Sequence, residues 1–209
     1  MTGGRGRLIA LEGIDGAGKS TLARALSRAI RRRGLSVRLH REPADATLGS
    51  LAQRVSPKDP WTGAVYFTVD RFLARPALER ALARHDVVLT DRSFYSTLAY
   101  QGSALSPRER RRLADLQRSA TREPDRVVLL DLPPREAVAR LGGRPGARGP
   151  LERLRVLERV GRTYRTLARE GRWLVLDARR PVSELVGEVI ERLPELAADG
   201  RAGRRRQRR

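Results

Sequence analysis

The sequence predicts an α/β fold, a five-stranded parallel sheet flanked by helices. Three observations lead there. Short apolar runs alternate with amphipathic stretches, which is how a sheet covered on both faces is written. A helical stretch separates each strand from the next, as parallel neighbours require. A glycine-rich segment, GIDGAGKS, joins the first apolar run to the first helix.

The elements follow in order. Arg7 to Leu11 (RLIAL) reads as a buried strand. After Gly13 to Ser20, the residues Leu22, Ala25, Leu26, Ala29 and Ile30 recur at helical spacing, and Gly34 ends the run. Ser36 to His40 is a second strand and Arg41 to Thr47 a loop. A short helix is predicted over Leu48 to Val55, then a proline-containing break through Pro60. Gly63 to Ala83 reads as helix, with Pro76 a kink or a restart. The third strand, Val87 to Leu89, ends in Asp91, and a helix follows over Ser93 to Tyr100. Ser106-Pro107-Arg108-Glu109 combines a cap, a proline at the first helical position and a glutamate three residues after the cap, so a helix runs to about Ser119. Val127 to Leu130 is the fourth strand and Pro134 to Leu141 a helix. Gly142 to Pro150, rich in Gly, Pro and Arg, reads as a mobile loop. Leu151 to Ala168 is helical, Trp173 to Leu176 is the fifth strand, and Val182 to Leu193 closes the fold as a helix. Residues 1–198 form one domain in this reading, and 199–209 form a basic, disordered tail.

Composition narrows the function. The chain has 209 residues, enough to bury a sizeable core. It has no cysteine, which excludes a disulfide scaffold, a thiolate zinc site and a cysteine nucleophile. Its two histidines, His40 and His85, argue against a multi-histidine metal site. No apolar run approaches the ~20 residues that span a bilayer, and the N-terminus lacks a signal-peptide pattern, so a cytoplasmic protein is expected with no membrane partner. The formal net charge is +20, almost all of it arginine, since only Lys19 and Lys58 are lysines. The tail holds six arginines and one aspartate, so the rest of the chain still carries +15. Such an excess attracts polyanions without saying which.

Gly13-x-x-x-x-Gly18-Lys19-Ser20 is a phosphate-binding P-loop. Its glycines let successive backbone N–H groups turn toward phosphate oxygens, and the following helix adds its N-terminal dipole. In this pattern Lys19 bridges the β- and γ-phosphates and Ser20 holds Mg²⁺. The motif follows a strand and opens a helix, which is its required context. Asp91 ends the strand VVLTD, where such proteins place a second acidic group near Mg²⁺; Arg92 follows it. The ATP-binding set is therefore Gly13, Asp15, Gly16, Ala17, Gly18, Lys19, Ser20 and Thr21, and the expected metal-binding pair is Ser20 and Asp91.

Five motifs together make the reading specific. EGIDGAGKST (Glu12 to Thr21) resembles the P-loop of thymidylate kinases. Arg41-Glu42-Pro43 is similar to that family's REP loop, and Phe67-x-x-x-Arg71 to its F-x-x-x-R helix. DRSFYSTLAYQG (Asp91 to Gly102) resembles its DR(Y)xxSxxAYQG segment, and PDRVVLLDL (Pro124 to Leu132) its PDxxxxLD strand. They occur in the family's order and cover about residues 7–193.

The resemblance implies a P-loop NTPase fold with a mobile lid, a homodimer, and the reaction ATP + dTMP → ADP + dTDP. It implies that Phe67 stacks on thymine, that Arg71 reaches the base or the monophosphate, and that Asp15 contacts the sugar 3′-hydroxyl. Arg41 and Arg92 would neutralise phosphate and Pro43 would shape the acceptor wall. Ser96, Thr97, Tyr100 and Gln101 would border base and sugar, with Thr97 and Gln101 offering hydrogen bonds. Tyr100 and Tyr164 stay open between ligand contact and packing with a satisfied hydroxyl. Gly16 stands where other members carry an arginine, and in that variety of the family the lid, here about residues 142–153, supplies the catalytic arginine. Arg148, in the place nearest the usual one, is the first candidate, with Arg144 and Arg153 beside it. Lys19, Arg92, Asp15 and Arg148 are the expected catalytic set.

The chain departs from the family pattern at Ala44-Asp45-Ala46, where glycines are usual, and in a shorter stretch between Leu48 and Thr62. Ser93 stands where a tyrosine is common. The triplet Asp91-Arg92-Ser93 also fits deoxynucleoside kinases, in which Glu42 would be the general base for a neutral sugar hydroxyl. A third reading is a non-catalytic protein that binds ATP or, through its tail, nucleic acid; the intact Lys19, Ser20, Asp91 and Arg71 speak against it.

Overall fold

The computed structural model describes residues 6–142 and 150–196. The strands are β1 (Arg7–Glu12), β2 (Val37–Arg41), β3 (Val87–Asp91), β4 (Arg126–Asp131) and β5 (Leu174–Asp177). The helices are α1 (Lys19–Arg32), α2 (Ala46–Val55), α3 (Pro60–Arg84), α4 (Phe94–Tyr100), α5 (Pro107–Ala120), α6 (Pro134–Gly142), α7 (Leu154–Gly171) and α8 (Val182–Arg192). The five strands are all parallel, in the order β2-β3-β1-β4-β5.

Alternation along the strands divides the core. Ile9 and Leu11 of β1, with Val87 and Leu89 of β3, pack into one large cluster that receives α1, α7 and α8. Leu8 and Val88 point the other way, onto Leu78 and Leu82 of α3. A third cluster joins α3, α4 and α5 through Ala64, Phe94, Leu98 and Leu113. Helices on both faces are what the near-continuous apolar strands require.

Element boundaries shift where capping decides them. The break expected through Pro60 is a helix start. Asp59 caps α3 by accepting from the Thr62 amide, and Pro60 takes the first helical position, where its missing N–H costs nothing. Pro76 does not restart that helix; α3 runs through it, and the proline is exposed. The Ser106/Glu109 capping box forms as expected. The helix expected from Leu151 begins instead at Leu154, after a 3-10 turn over Pro150–Glu152.

Candidate active site

Strand order reverses around β1, which has β3 on one side and β4 on the other, so a crevice opens at its carboxyl end. The parallel register sets Leu11 level with Asp91, and Asp91 level with Arg41. Three motifs far apart in the chain therefore reach the same rim.

The P-loop leaves β1 after Glu12. Gly16 and Gly18 adopt positive φ, +87° and +95°. A Cβ on Gly16 would meet the Ala137 carbonyl oxygen at 2.8 Å, so no side chain fits there. Lys19 begins α1 and folds back over the loop, its Nζ donating to the Gly13 and Ile14 carbonyls at 2.9 Å each. Burial, and then repulsion from Arg92, push its pKa down to about 8, against the pull of Asp15, Asp91 and Glu12. The Ser20 hydroxyl donates to the Asp91 carboxylate. These are two hard oxygen donors at one point of the loop, and they suit Mg²⁺, which takes one or two protein ligands and completes its shell with water and phosphate.

Beneath the loop lies a carboxylate whose part the motif did not reveal. Glu12 is fully buried and accepts from the Ser93 amide and hydroxyl at 2.7 Å each, from Ser96 Oγ at 2.7 Å and from the Tyr164 hydroxyl at 2.8 Å. Burial raises its pKa even against these donors. Ser93, which also caps α4, thus ties that helix to the end of β1.

Beside the loop is a cavity of about 410 Å³. It is lined by Asp15, Arg41, Pro43, Phe67, Arg71, Arg92, Ser96, Thr97, Tyr100 and Gln101, and also by Glu42, Gln53, Leu151 and Glu152. Of the acceptor residues expected from the sequence, only Tyr164 is missing. It is 1% exposed and sits behind the wall, bonded to Glu12 and edge-on to Tyr100. Gln53 carried no sequence signal, and Leu151 and Glu152 fall within the stretch expected as the lid.

Electrostatics arrange this chamber. Arg92, with φ +78°, pairs with Asp15 and donates to Ser96 Oγ at 3.0 Å. Burial alone would raise the Asp15 pKa, but Arg92 and Lys19 outweigh it and hold the carboxyl below its usual range. Arg71 is buried against Glu42, with Nε to Oε2 at 2.8 Å, and also donates to Thr97 Oγ1, Gln117 Oε1 and the Ser93 carbonyl. Gln117, from α5, has no exposure, and nothing in its sequence context singled it out. The Ala44-Asp45-Ala46 departure also has a structural role. Asp70 of α3 accepts from the Ala44 and Asp45 amides at 2.9 and 2.7 Å, and Asp45 caps α2. The Glu42–Pro43 peptide bond is cis.

A second cavity, about 270 Å³, opens on the other flank of the loop, against Gly16, Ala17, Gly18, Thr21, Arg140, Ala178 and Arg180. Arg140 donates to the Ala178 carbonyl at 3.0 Å and Arg180 pairs with Glu184 and Glu188. Consecutive residues Asp15 and Gly16 thus face different chambers. The sequence did not reveal Arg140, Ala178 or Arg180. Arg148 and Arg144 lie outside the described residues; Arg153 is exposed and precedes α7.

Comparison with known proteins gives the family. The family described as Thymidylate kinase matches residues 11–189. A protein named probable thymidylate kinase from Sulfurisphaera tokodaii is 34% identical over 186 residues, covering 88% of this chain and 94% of its own. A thymidylate kinase from a Synechococcus species is 36% identical, over 89% and 94% of the two chains. One from Xanthomonas oryzae pv. oryzae is 38% identical, over 81% and 75%.

Proposed function

The chain belongs to the thymidylate kinase family, and on that premise we propose that it moves the γ-phosphoryl group of ATP to dTMP, giving ADP and dTDP. The observation that carries this reading is the pair of chambers meeting at Asp15 and Gly16, one for each nucleotide, with the P-loop between them. The donor phosphates lie along the amides of Gly13 to Thr21, with Lys19 against them. The acceptor lies in the larger chamber, its base on Phe67, its phosphate near Arg41 and Arg92, and its 3′-hydroxyl toward Asp15.

An acceptor phosphate is already anionic, so no strong base is needed. The protein's task is to hold two anions in line and neutralise the charge that moves between them. Lys19 and Arg92 serve from the loop side, and Arg148 from the lid. Mg²⁺, when bound at Ser20 and Asp91, supplies further neutralisation of the donor phosphates. The deoxynucleoside kinase reading is not favoured. Glu42, its required base, is ion-paired with Arg71, and the relatives are thymidylate kinases.

Among the described residues no helix is long and apolar enough to cross a membrane, and we place the enzyme in the cytoplasm. α3 turns an exposed apolar stripe outward, Val65, Val69, Phe72 and Leu73, and we assign it to the contact of a homodimer.

ADP release measured across the nucleoside monophosphates and thymidine tests the activity. Turnover is expected with dTMP and not with thymidine; thymidine turnover without dTMP turnover overturns the reading.

A further inference from the structure

Gln101 lines the acceptor chamber and is 2% exposed. A glutamine amide has a donor end and an acceptor end of nearly the same shape, so its hydrogen-bond partners decide which end does what. Here Nε2 donates to Ser56 Oγ at 2.9 Å, while Oε1 is buried with no hydrogen-bond partner in the protein. The cause lies one residue further back. Ser56, at the carboxyl end of α2, donates its hydroxyl proton to the Ala52 carbonyl at 2.6 Å. A hydroxyl has one proton, and a carbonyl can only accept. Ser56 can therefore only accept from Gln101, and the amide is turned by a backbone group that cannot itself reverse.

The seat of Ser56 is built for it. A Cβ on Gly63 of α3 would lie 2.0 Å from Ser56 Oγ and 2.9 Å from its Cβ, so the glycine leaves the space that the hydroxyl occupies. Ser56 and Gly63 both belong to the α2–α3 junction.

We propose that Ser56 is a specificity-determining positioning residue. By holding the Gln101 amide with its nitrogen turned away, it leaves the carbonyl oxygen for the base. The acceptor chamber then selects a pyrimidine that carries N–H at N3, thymine or uracil, over cytosine, whose N3 is a lone pair. With thymine, the unpartnered oxygen gains a donor; with cytosine, acceptor faces acceptor, and the chamber keeps a buried, unpaired group. Ser56 acts only through Gln101 and touches no substrate. The inference rests on the dTMP reading above.

The test compares kcat/KM for dTMP and dCMP in the wild type, Ser56→Ala, Gln101→Leu and the double variant, with melting temperature and the KM for ATP as controls. In Ser56→Ala the amide is free to reverse, and the dTMP:dCMP ratio should fall at least about tenfold, the worth of one hydrogen bond of about 1.4 kcal/mol. The KM for ATP should hold. Adding Ser56→Ala to Gln101→Leu should lower the ratio no further. An unchanged ratio in Ser56→Ala, or a further fall in the double variant, overturns the proposal, since either would separate Ser56 from the amide. A wild type that uses dCMP as readily as dTMP overturns it as well. A wild type that leaves dTMP unphosphorylated overturns the activity itself, and that result is read before any variant is made.

Discussion

The Tyr100 hydroxyl grips Asp15 from both directions: it donates to the carboxylate Oδ2 at 2.9 Å and accepts from the Asp15 amide at 2.9 Å. One phenol thus fixes both the backbone and the side chain of the P-loop residue that lines the larger cavity. Burial, and then the neighbouring Asp15 charge, push its pKa far up, so it stays a donor at any working pH. Tyr100→Phe should leave the Asp15 amide without its partner and cost about 1 kcal/mol of stability. The KM for dTMP should rise more than that for ATP; calorimetry and steady-state kinetics check both.

Lys19→Ala should abolish turnover while the melting transition survives, because in the proposed reaction the ammonium serves the phosphates. The wild type should carry a pH signature of the same group. Its free-enzyme pKa is about 8, and the cation is the form that attracts ATP. Thus kcat/KM for ATP should decline as pH rises through about 8, while kcat, reporting the ATP-bound enzyme, should hold to higher pH because phosphate charge restores the cation. A kcat/KM that is flat from pH 7 to 9 would contradict this; that span is about one unit on either side of the pKa.

Phe67→Ala removes an aromatic face from the acceptor chamber. Base stacking of this kind is worth roughly 1–3 kcal/mol, so dTMP affinity should drop by an order of magnitude or more with ATP affinity little changed. Equal losses for both nucleotides would make Phe67 a packing residue instead.

The Arg71–Glu42 pair is nearly inaccessible, 3% and 8% exposed. Glu42→Leu should cost about 3 kcal/mol by leaving a guanidinium buried without its counter-charge. The double variant Glu42→Leu/Arg71→Leu should recover much of that stability, since the penalty belongs to the unpaired charge, yet it should not recover dTMP binding. Denaturant titration beside dTMP titration separates the two effects.

Arg148→Ala should lower kcat more than it raises the KM for dTMP, if the lid arginine acts on the moving phosphoryl group and not on acceptor capture. Arg144→Ala, made in parallel, should leave kcat largely intact.

Local order was written plainly in the chain. The apolar period of Leu22, Leu26 and Ile30, the Ser106/Glu109 capping box and the glycine spacing of the P-loop each depend on residues within a few positions of one another, so they could be read without coordinates. Most residues that line the larger cavity were legible by another route, as motifs matching a family. One misplaced boundary lay where a cap outweighed a breaker: Asp59 turned Pro60 into a helix start. Glu12 was visible as the first residue of the P-loop motif but its part was not, and Gln117, Ser56 and Arg140 escaped notice altogether; their partners lie 4 to 152 positions away, and most of those bonds cross between elements.

The sequence by itself determined the fold class, the phosphate cradle and the family, because backbone conformation answers to neighbours along the chain. Tertiary structure decided the rest. The parallel register brought Arg41, Asp91 and the end of β1 to one rim. Packing put Tyr164 behind the wall and not on it. It also decided which end of the Gln101 amide is committed to Ser56, since a hydrogen bond takes its direction from the partner it meets in space, and those two residues lie 45 positions apart.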